Sequence, residues 1–268
     1  MIPKKIHFCW LSNDEFPSLI QYCIDTWKRV LPDYEIVLWD TKRFDINSVD
    51  WVKEAYEAKK YAFAADYIRL YAVYTEGGIY LDSDVEMVKS FNDLLENKTF
   101  IGFEAATGSV EAAIFGGEPG TEWCKKAMEF YHDKHFVMDE VGGVNLNITA
   151  PVIVKDALCK TYPNFPTQLP SKAILVNHVI LVCPTYYFSP IKYDIEKSYS
   201  YKNKIANSYR ENPETYCIHR FNAAWGIKPA RIIQLWDIFK KVGESLLGKY
   251  FINFIPKCFR FFKQKLYK

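Results

Sequence analysis

The chain has 268 residues, 49% of them hydrophobic and 25% charged, an ordinary globular composition with enough apolar residues for one sizeable core. Its net charge of +2 conceals an asymmetry, because Lys228 to Lys268 carries ten basic residues against Asp237 and Glu244, a tail of +8 on a body of −6. An acidic body, and a basic tail without any recognisable nucleic-acid module, exclude general nucleic-acid binding. Seven scattered cysteines without zinc-knuckle or redox spacing speak for free thiols in a reducing cytosol.

The opening residues, Met1 to His7, hold no apolar run of signal-peptide length, and no later segment reaches the length of a membrane-spanning helix, so a cytosolic protein is expected. Lys5 to Trp10 alternates as a first strand. Pro17 to Leu31 places Leu19, Ile20, Cys23, Trp27 and Val30 at helical spacing, and Tyr34 to Trp39 reads as a second buried strand. This strand, helix, strand opening predicts an α/β protein with a single Rossmann-like, mostly parallel sheet flanked by helices, and ligands at the carboxyl ends of its strands. Trp51 to Glu76 carries one long helical pattern that stops at Gly77-Gly78, and Ile79 to Val85 follows as a strand. Farther on come a strand over Phe100 to Phe103, a glycine-punctuated stretch at Gly116, Gly117 and Gly120, a helix from Glu122 to His132, and short strands between Ala173 and Cys183.

The most informative stretch runs from Ala62 to Glu86. Its helix is apolar on nearly every side yet carries Asp66 and Arg69, three residues apart on one face. Charges on a buried helix must pair or face a polar site. In the next strand Tyr80, Asp82, Asp84 and Glu86 share one side, with the Cβ atoms of Asp82 and Asp84 roughly 7 Å apart along an extended chain. That separation suits a hydrated divalent ion held between the protein and a diphosphate, where it would neutralise charge on a departing nucleoside diphosphate. An Asp-x-Asp tripeptide alone is a weak signal; at the end of an apolar strand, after a Gly-Gly stop and a charged buried helix, it is a strong one.

The run AFAADYIRLYAVYTEGGIYLDSDVE resembles glycosyltransferase family 32 and, more distantly, the catalytic domains of the large glucosylating toxins. The opening IPKKIHFCW is similar to that family's first strand, and HRFNAAW at His219 to Trp225 to its C-terminal His and Trp element, so the three matches span positions 2 to 225 in order. The resemblance implies a GT-A fold, a nucleotide-sugar donor with uridine favoured over guanosine, a divalent cation that is commonly manganese with magnesium as the alternative, and transfer with retention. Carried over by position, Trp10 would stack on the base, Asp66 and Arg69 would touch the transferred sugar, and Tyr80 and Asp82 would line the ribose and sugar. Asp84 would bind the metal, with Asp82 and His219 as further ligands or phosphate contacts, and Trp225 would lie near the leaving group. The catalytic set is thus Asp66, Arg69, Asp82 and Asp84. The sequence departs from the pattern at Arg220, where the family has a second His, and at Ala223-Ala224, where it has Gly-Ser. Asn145, Asn147 and Thr149 fall in a region similar to the family's acceptor-side turn. His7, inside a strand, reads as structural.

Two other readings compete: a haloacid-dehalogenase-like phosphatase, whose nucleophilic Asp also ends an apolar strand, and a non-catalytic sugar- or metal-binding module. The expected organisation is a catalytic domain over 1–227 and a basic, aromatic-rich amphipathic helical tail over 228–268. Beyond Gly248 that tail interleaves Tyr250, Phe251, Phe254, Phe259, Phe261 and Phe262 with Lys257, Arg260, Lys263 and Lys265. Such a segment suits the interface of an anionic membrane. The expectation is a peripheral enzyme at the inner face of the cell membrane, acting on a saccharide or lipid-linked oligosaccharide acceptor in polysaccharide or capsule biosynthesis.

Overall fold

The structure, a computed structural model, describes residues 1–104, 108–137, 148–190 and 209–221. The chain opens with β1 (Lys5–Cys9), α1 (Ser18–Val30), β2 (Glu35–Trp39), α2 (Asp50–Glu57), α3 (Tyr61–Glu76), β3 (Gly78–Leu81) and β4 (Val85–Met87). It continues through β5 (Thr99–Phe103), β6 (Val110–Gly117), α4 (Glu122–Glu129), α5 (Ala150–Thr161), β7 (Ile174–Val176), β8 (Ile180–Cys183), α6 (Thr185–Phe188) and β9 (Cys217–His219). Seven strands form one sheet in the order β2-β1-β3-β6-β5-β8-β7, while β4 and β9 pair apart from it. The pairs β1–β2, β1–β3 and β5–β8 are parallel; β3–β6, β5–β6 and β7–β8 are antiparallel. The α/β class and the sheet flanked by helices expected from the sequence are what the structure has.

Strand alternation divides the core between the two faces of the sheet. Ile6, Phe8, Ile79, Leu81, Phe100 and Ile114 pack with Ile20, Ile24 and Trp27 of α1. Tyr80, Ile101, Phe103 and Phe115 pack on the other face with α2, α3, α4 and α5. Trp27 is fully buried, and its indole N–H donates to the Val85 carbonyl at 2.7 Å, so α1 grips the start of β4 through one side chain. Burying such a ring contributes roughly 1.5–3 kcal/mol, provided its N–H finds a partner, as here.

The long helical pattern from Trp51 to Glu76 is two helices. Lys59, with φ 57°, takes the left-handed conformation that ends α2. The Lys60 N–H returns to Ala55 O and the Lys59 N–H to Tyr56 O, both at 2.8 Å, the paired closure of a Schellman motif without its usual glycine. At the end of α3 glycine is obligatory twice over. Gly77 has φ +65°, and a Cβ there would lie 2.6 Å from Pro119; Gly78 has φ +106°, and its Cβ would meet the Lys5 carbonyl at 2.9 Å. That close approach lets β3 lie beside β1. His7 locks the joint, its Nε2–H donating to Gly77 O at 2.7 Å while Nδ1 accepts from Trp39 at 3.0 Å, which bears out its structural reading.

The second difference lies at the predicted strand over Ile79 to Val85. It breaks into β3 and β4, with the Val85 N–H closing on Asp82 O at 3.0 Å across a turn. Asp82 and Asp84 therefore converge through that turn rather than by alternation along an extended strand. The six described cysteines are free thiols, and among the described residues no helix is long and apolar enough to cross a membrane. The boundary at 227/228, the helical tail and its membrane contact all lie outside the described residues.

Candidate active site

α3 delivers Asp66 and Arg69 to the turn that follows β3. Both are buried, and Arg69 Nη2 lies 3.1 Å from Asp66 Oδ1 and 3.4 Å from Asp82 Oδ1. The rest of the guanidinium is held by main chain: Nη1 donates to Ala112 O at 3.0 Å and Nε to Ala65 O at 3.3 Å. Its plane sits over the Tyr80 ring at 4.9 Å, and the Tyr80 hydroxyl donates to Asp82 Oδ1 at 2.8 Å. One arginine thus serves two carboxylates, and this is the pairing with a polar site that buried charges require.

The electrostatics follow from that ratio. Burial, opposed by Arg69 and reinforced by Asp82, pushes the Asp66 carboxyl up to about 7, although the Ala150 N–H at the start of α5 also favours its anion. Burial likewise raises Asp82, against the pull of Arg69; its side chain keeps 28% exposure, so the raised affinity for protons belongs to a group still reachable from solvent. Beside them Cys9, at the end of β1, is a neutral thiol, its pKa pushed up to about 12 by burial.

β6 carries the irregularity that shapes the site. Its pairing with β5 runs Ile101 to Phe115 and then Gly102 to Glu111, so Ala112, Ala113 and Ile114 bulge out of that ladder. Ala112 O receives Arg69, Ala113 O receives the Asp82 N–H at 2.8 Å, and the Ala113 N–H donates to Glu111 Oε1 at 3.0 Å.

His219 arrives on β9, opposite Val85, and its Nε2 lies 3.6 Å from Asp84 Oδ1. One ligand atom each from Asp82, Asp84 and His219 lies within 4.8 Å of the others. Donors about 2.1 Å from a common ion stand at most roughly 4.2 Å apart, so the trio must draw in by about 0.6 Å or more to share one. Two carboxylate oxygens and an imidazole nitrogen suit a manganese- or magnesium-type cation with its other positions open to water and phosphate. Burial opposes protonation of His219, but Glu111 and Asp84 outweigh it and hold the imidazole's pKa up at about 9.

The structure therefore brings together Asp66, Arg69, Tyr80, Asp82, Asp84 and His219. Trp10 follows β1, half-buried, its indole N–H donating to Asp14 O at 2.8 Å and its ring edge-on to Phe16 at 5.1 Å. Trp225, Asn145 and Asn147 lie outside the described residues, and Thr149 precedes α5. Arg220, where the resembling family has a second His, turns to Glu86, its Nη1 3.3 Å from Oε2. Glu111 and the bulge are additions that the sequence reading did not make. A lone acid in the apolar run VEAAIFGG was the available signal, by the argument that singled out Asp66.

Residues 17–101 match the family described as the glycosyltransferase sugar-binding region containing the DXD motif. Inositol phosphoceramide mannosyltransferase 3 of Schizosaccharomyces pombe is 32% identical over 114 residues, 40% of this chain and 31% of that protein. Mannosyl phosphorylinositol ceramide synthase CSH1 of Saccharomyces cerevisiae is 29% identical over 126 residues, 44% of this chain and 32% of that one. The chain spans about a third of the length of these relatives. Among solved structures, PaToxG glycosyltransferase is similar at 20% identity and a TM-score of 0.46, over 60% of this chain and 70% of the other. The segment that matches that family, residues 17–101, holds Asp66, Arg69, Asp82 and Asp84.

Proposed function

We propose that this protein is a metal-dependent, retaining glycosyltransferase that moves a sugar from a nucleotide-sugar donor to a saccharide or lipid-linked acceptor. The observation that carries the reading is the convergence of Asp82, Asp84 and His219 beside the Arg69 pair. A divalent cation bound there would stabilise the negative charge gathering on the departing diphosphate. The chain's own residues do the rest. Arg69, fixed by main-chain carbonyls, offers a positive, nearly immobile donor edge to the sugar, and Asp66 offers an acceptor for its hydroxyls. Tyr80 holds the Asp82 carboxylate in one orientation, so the group is placed before substrate arrives. The phosphatase alternative needs Asp82 as a free nucleophile, whereas its Oδ1 here takes the Tyr80 hydroxyl and faces Arg69.

Uridine donors are favoured by the family resemblance, and the names of the two yeast relatives make mannose the first sugar to test, so uridine and guanosine diphosphate sugars belong in one assay. With manganese, the wild-type chain should release nucleoside diphosphate from one of them, and chelator or Asp84→Asn should remove most of that activity with the fold intact. Undiminished turnover in chelator, or full turnover by Asp84→Asn, overturns the metal assignment. Proton NMR of the product should find the donor's α configuration kept; an inverted linkage refutes retention.

A further inference from the structure

We propose that Glu111 is a positioning residue that fixes the His219 ring with Nε2 turned toward Asp84, completing a carboxylate, histidine and cation relay; the proposal rests on the metal reading above. Glu111 is 2% exposed, on β6 where the bulge begins. Its carboxylate is fully engaged. Oε1 takes the Ala113 N–H at 3.0 Å, Oε2 takes the Ser189 hydroxyl, and both oxygens lie 3.4 Å from His219 Nδ1. An ionised carboxylate only accepts hydrogen bonds, so the ring nitrogen facing it must carry a proton. The opposite nitrogen, Nε2, is then the one that gives up its proton when a cation binds, so that its lone pair can join Asp82 and Asp84.

The surroundings leave the carboxylate little choice of position. Ser189 is wholly buried and follows α6, whose Phe188 sits directly on Gly102; a Cβ there would lie 2.5 Å from the ring. The missing side chain at Gly102 therefore lets α6 come down far enough for Ser189 to reach Glu111. On the other side His219 is stacked on Phe221 with centroids 3.9 Å apart. A ring stacked on one neighbour and held at Nδ1 by another is restricted in both tilt and rotation. Glu111 need not touch substrate or cation to act; it acts by deciding where Nε2 points.

The test is Mn2+ binding to the full chain, followed by electron paramagnetic resonance, with MnCl2 as the only ligand. Glu111→Gln keeps the shape and removes the charge, and should weaken Mn2+ binding roughly 10–100-fold. In a His219→Ala background the same change should have almost no further effect, because its influence passes through the ring. Equal Mn2+ affinity in Glu111→Gln and wild type, or an equal loss in both backgrounds, overturns the proposal. If His219→Ala binds Mn2+ as tightly as wild type while Asp84→Asn does not, the relay falls and the carboxylate site stands. If Asp84→Asn also binds normally, the metal reading itself fails. Should Glu111→Gln not fold by thermal melting, Ser189→Ala decides the matter: it leaves the charge but frees the carboxylate, and should weaken Mn2+ several-fold only where His219 is present.

Discussion

Two buried clusters of carboxylate and arginine flank the turn at Asp82 to Asp84, and they are built in opposite proportions. Before the turn, one guanidinium, Arg69, is shared by Asp66 and Asp82. After it, one carboxylate, Glu86, takes Arg210 Nε at 2.5 Å and Nη2 at 2.8 Å, Arg220 Nη1 at 3.3 Å and the Tyr22 hydroxyl at 3.0 Å. The second cluster is closed, every carboxylate lone pair spoken for, and it ties residues 209–221 to the body. The first is acid-rich and unfinished. A pair of clusters made from the same residue types thus differs in charge balance: the saturated one holds, and the one short of positive charge is where the proposed cation and ligand would bind. This also accounts for Arg220. Its guanidinium reinforces the clasp beside His219, and its backbone N–H donates to Asp84 O at 3.1 Å.

The contrast can be broken most forcefully at Glu86. Replacing it with alanine breaks the buried pair with Arg220, 5% exposed, and removing one partner of such a pair costs about 3–5 kcal/mol of stability. Chemical denaturation should register that loss, along with weaker Mn2+ binding as His219 loosens. A midpoint unchanged from wild type would mean the clasp holds nothing. In the open cluster the expected effect is on turnover instead. Arg69→Lys keeps the charge but loses the planar fork that joins Asp66, Asp82 and Ala112 O. Its kcat should fall roughly 100-fold, or about 2.7 kcal/mol, with affinity for free nucleoside diphosphate retained. Normal transfer by this variant would make the pair structural.

The smallest effect is one of pH. Because folding raises the Asp66 pKa from 3.8 to about 7, its stabilising contribution is complete below 3.8 and lost as pH rises through 7. Asp66→Asn, which mimics the neutral acid, should therefore gain on wild type in unfolding free energy between pH 4 and 7 and hold a constant lead above about 8. A difference independent of pH would show that Arg69 keeps Asp66 ionised throughout.

Much of the frame was legible because it rests on local patterns. The first strands and α1 follow from periodicity, the stop at Gly77-Gly78 from backbone sterics, and the pairing of Asp66 with Arg69 from the cost of burying charge. The misses share a different cause. Lys59 ends α2 in a conformation that sequence assigns to glycine, so two helices read as one. The turn at Asp82 to Asp84 was hidden by strand-like alternation, since a tripeptide between apolar residues fits either form. α5 lay behind a motif comparison that drew attention to the turn before it. Glu111 depends on β6 meeting His219 from 108 residues away, a contact that no local window contains.

The bulge in β6 has one more consequence, for how this site can change over evolutionary time. The hydrogen bonds that fix Arg69, the Asp82 backbone and Glu111 end on carbonyl and amide groups of Ala112 and Ala113, which every amino acid possesses, proline's missing amide aside. Point substitution of these two alanines by other small residues leaves every anchor in place. Shortening β6 by a single residue between Glu111 and Phe115 shifts all three anchors at once. The site is buffered against small changes of letter and exposed to changes of length, and divergent relatives should exchange one small residue for another at these two positions while conserving the spacing across them.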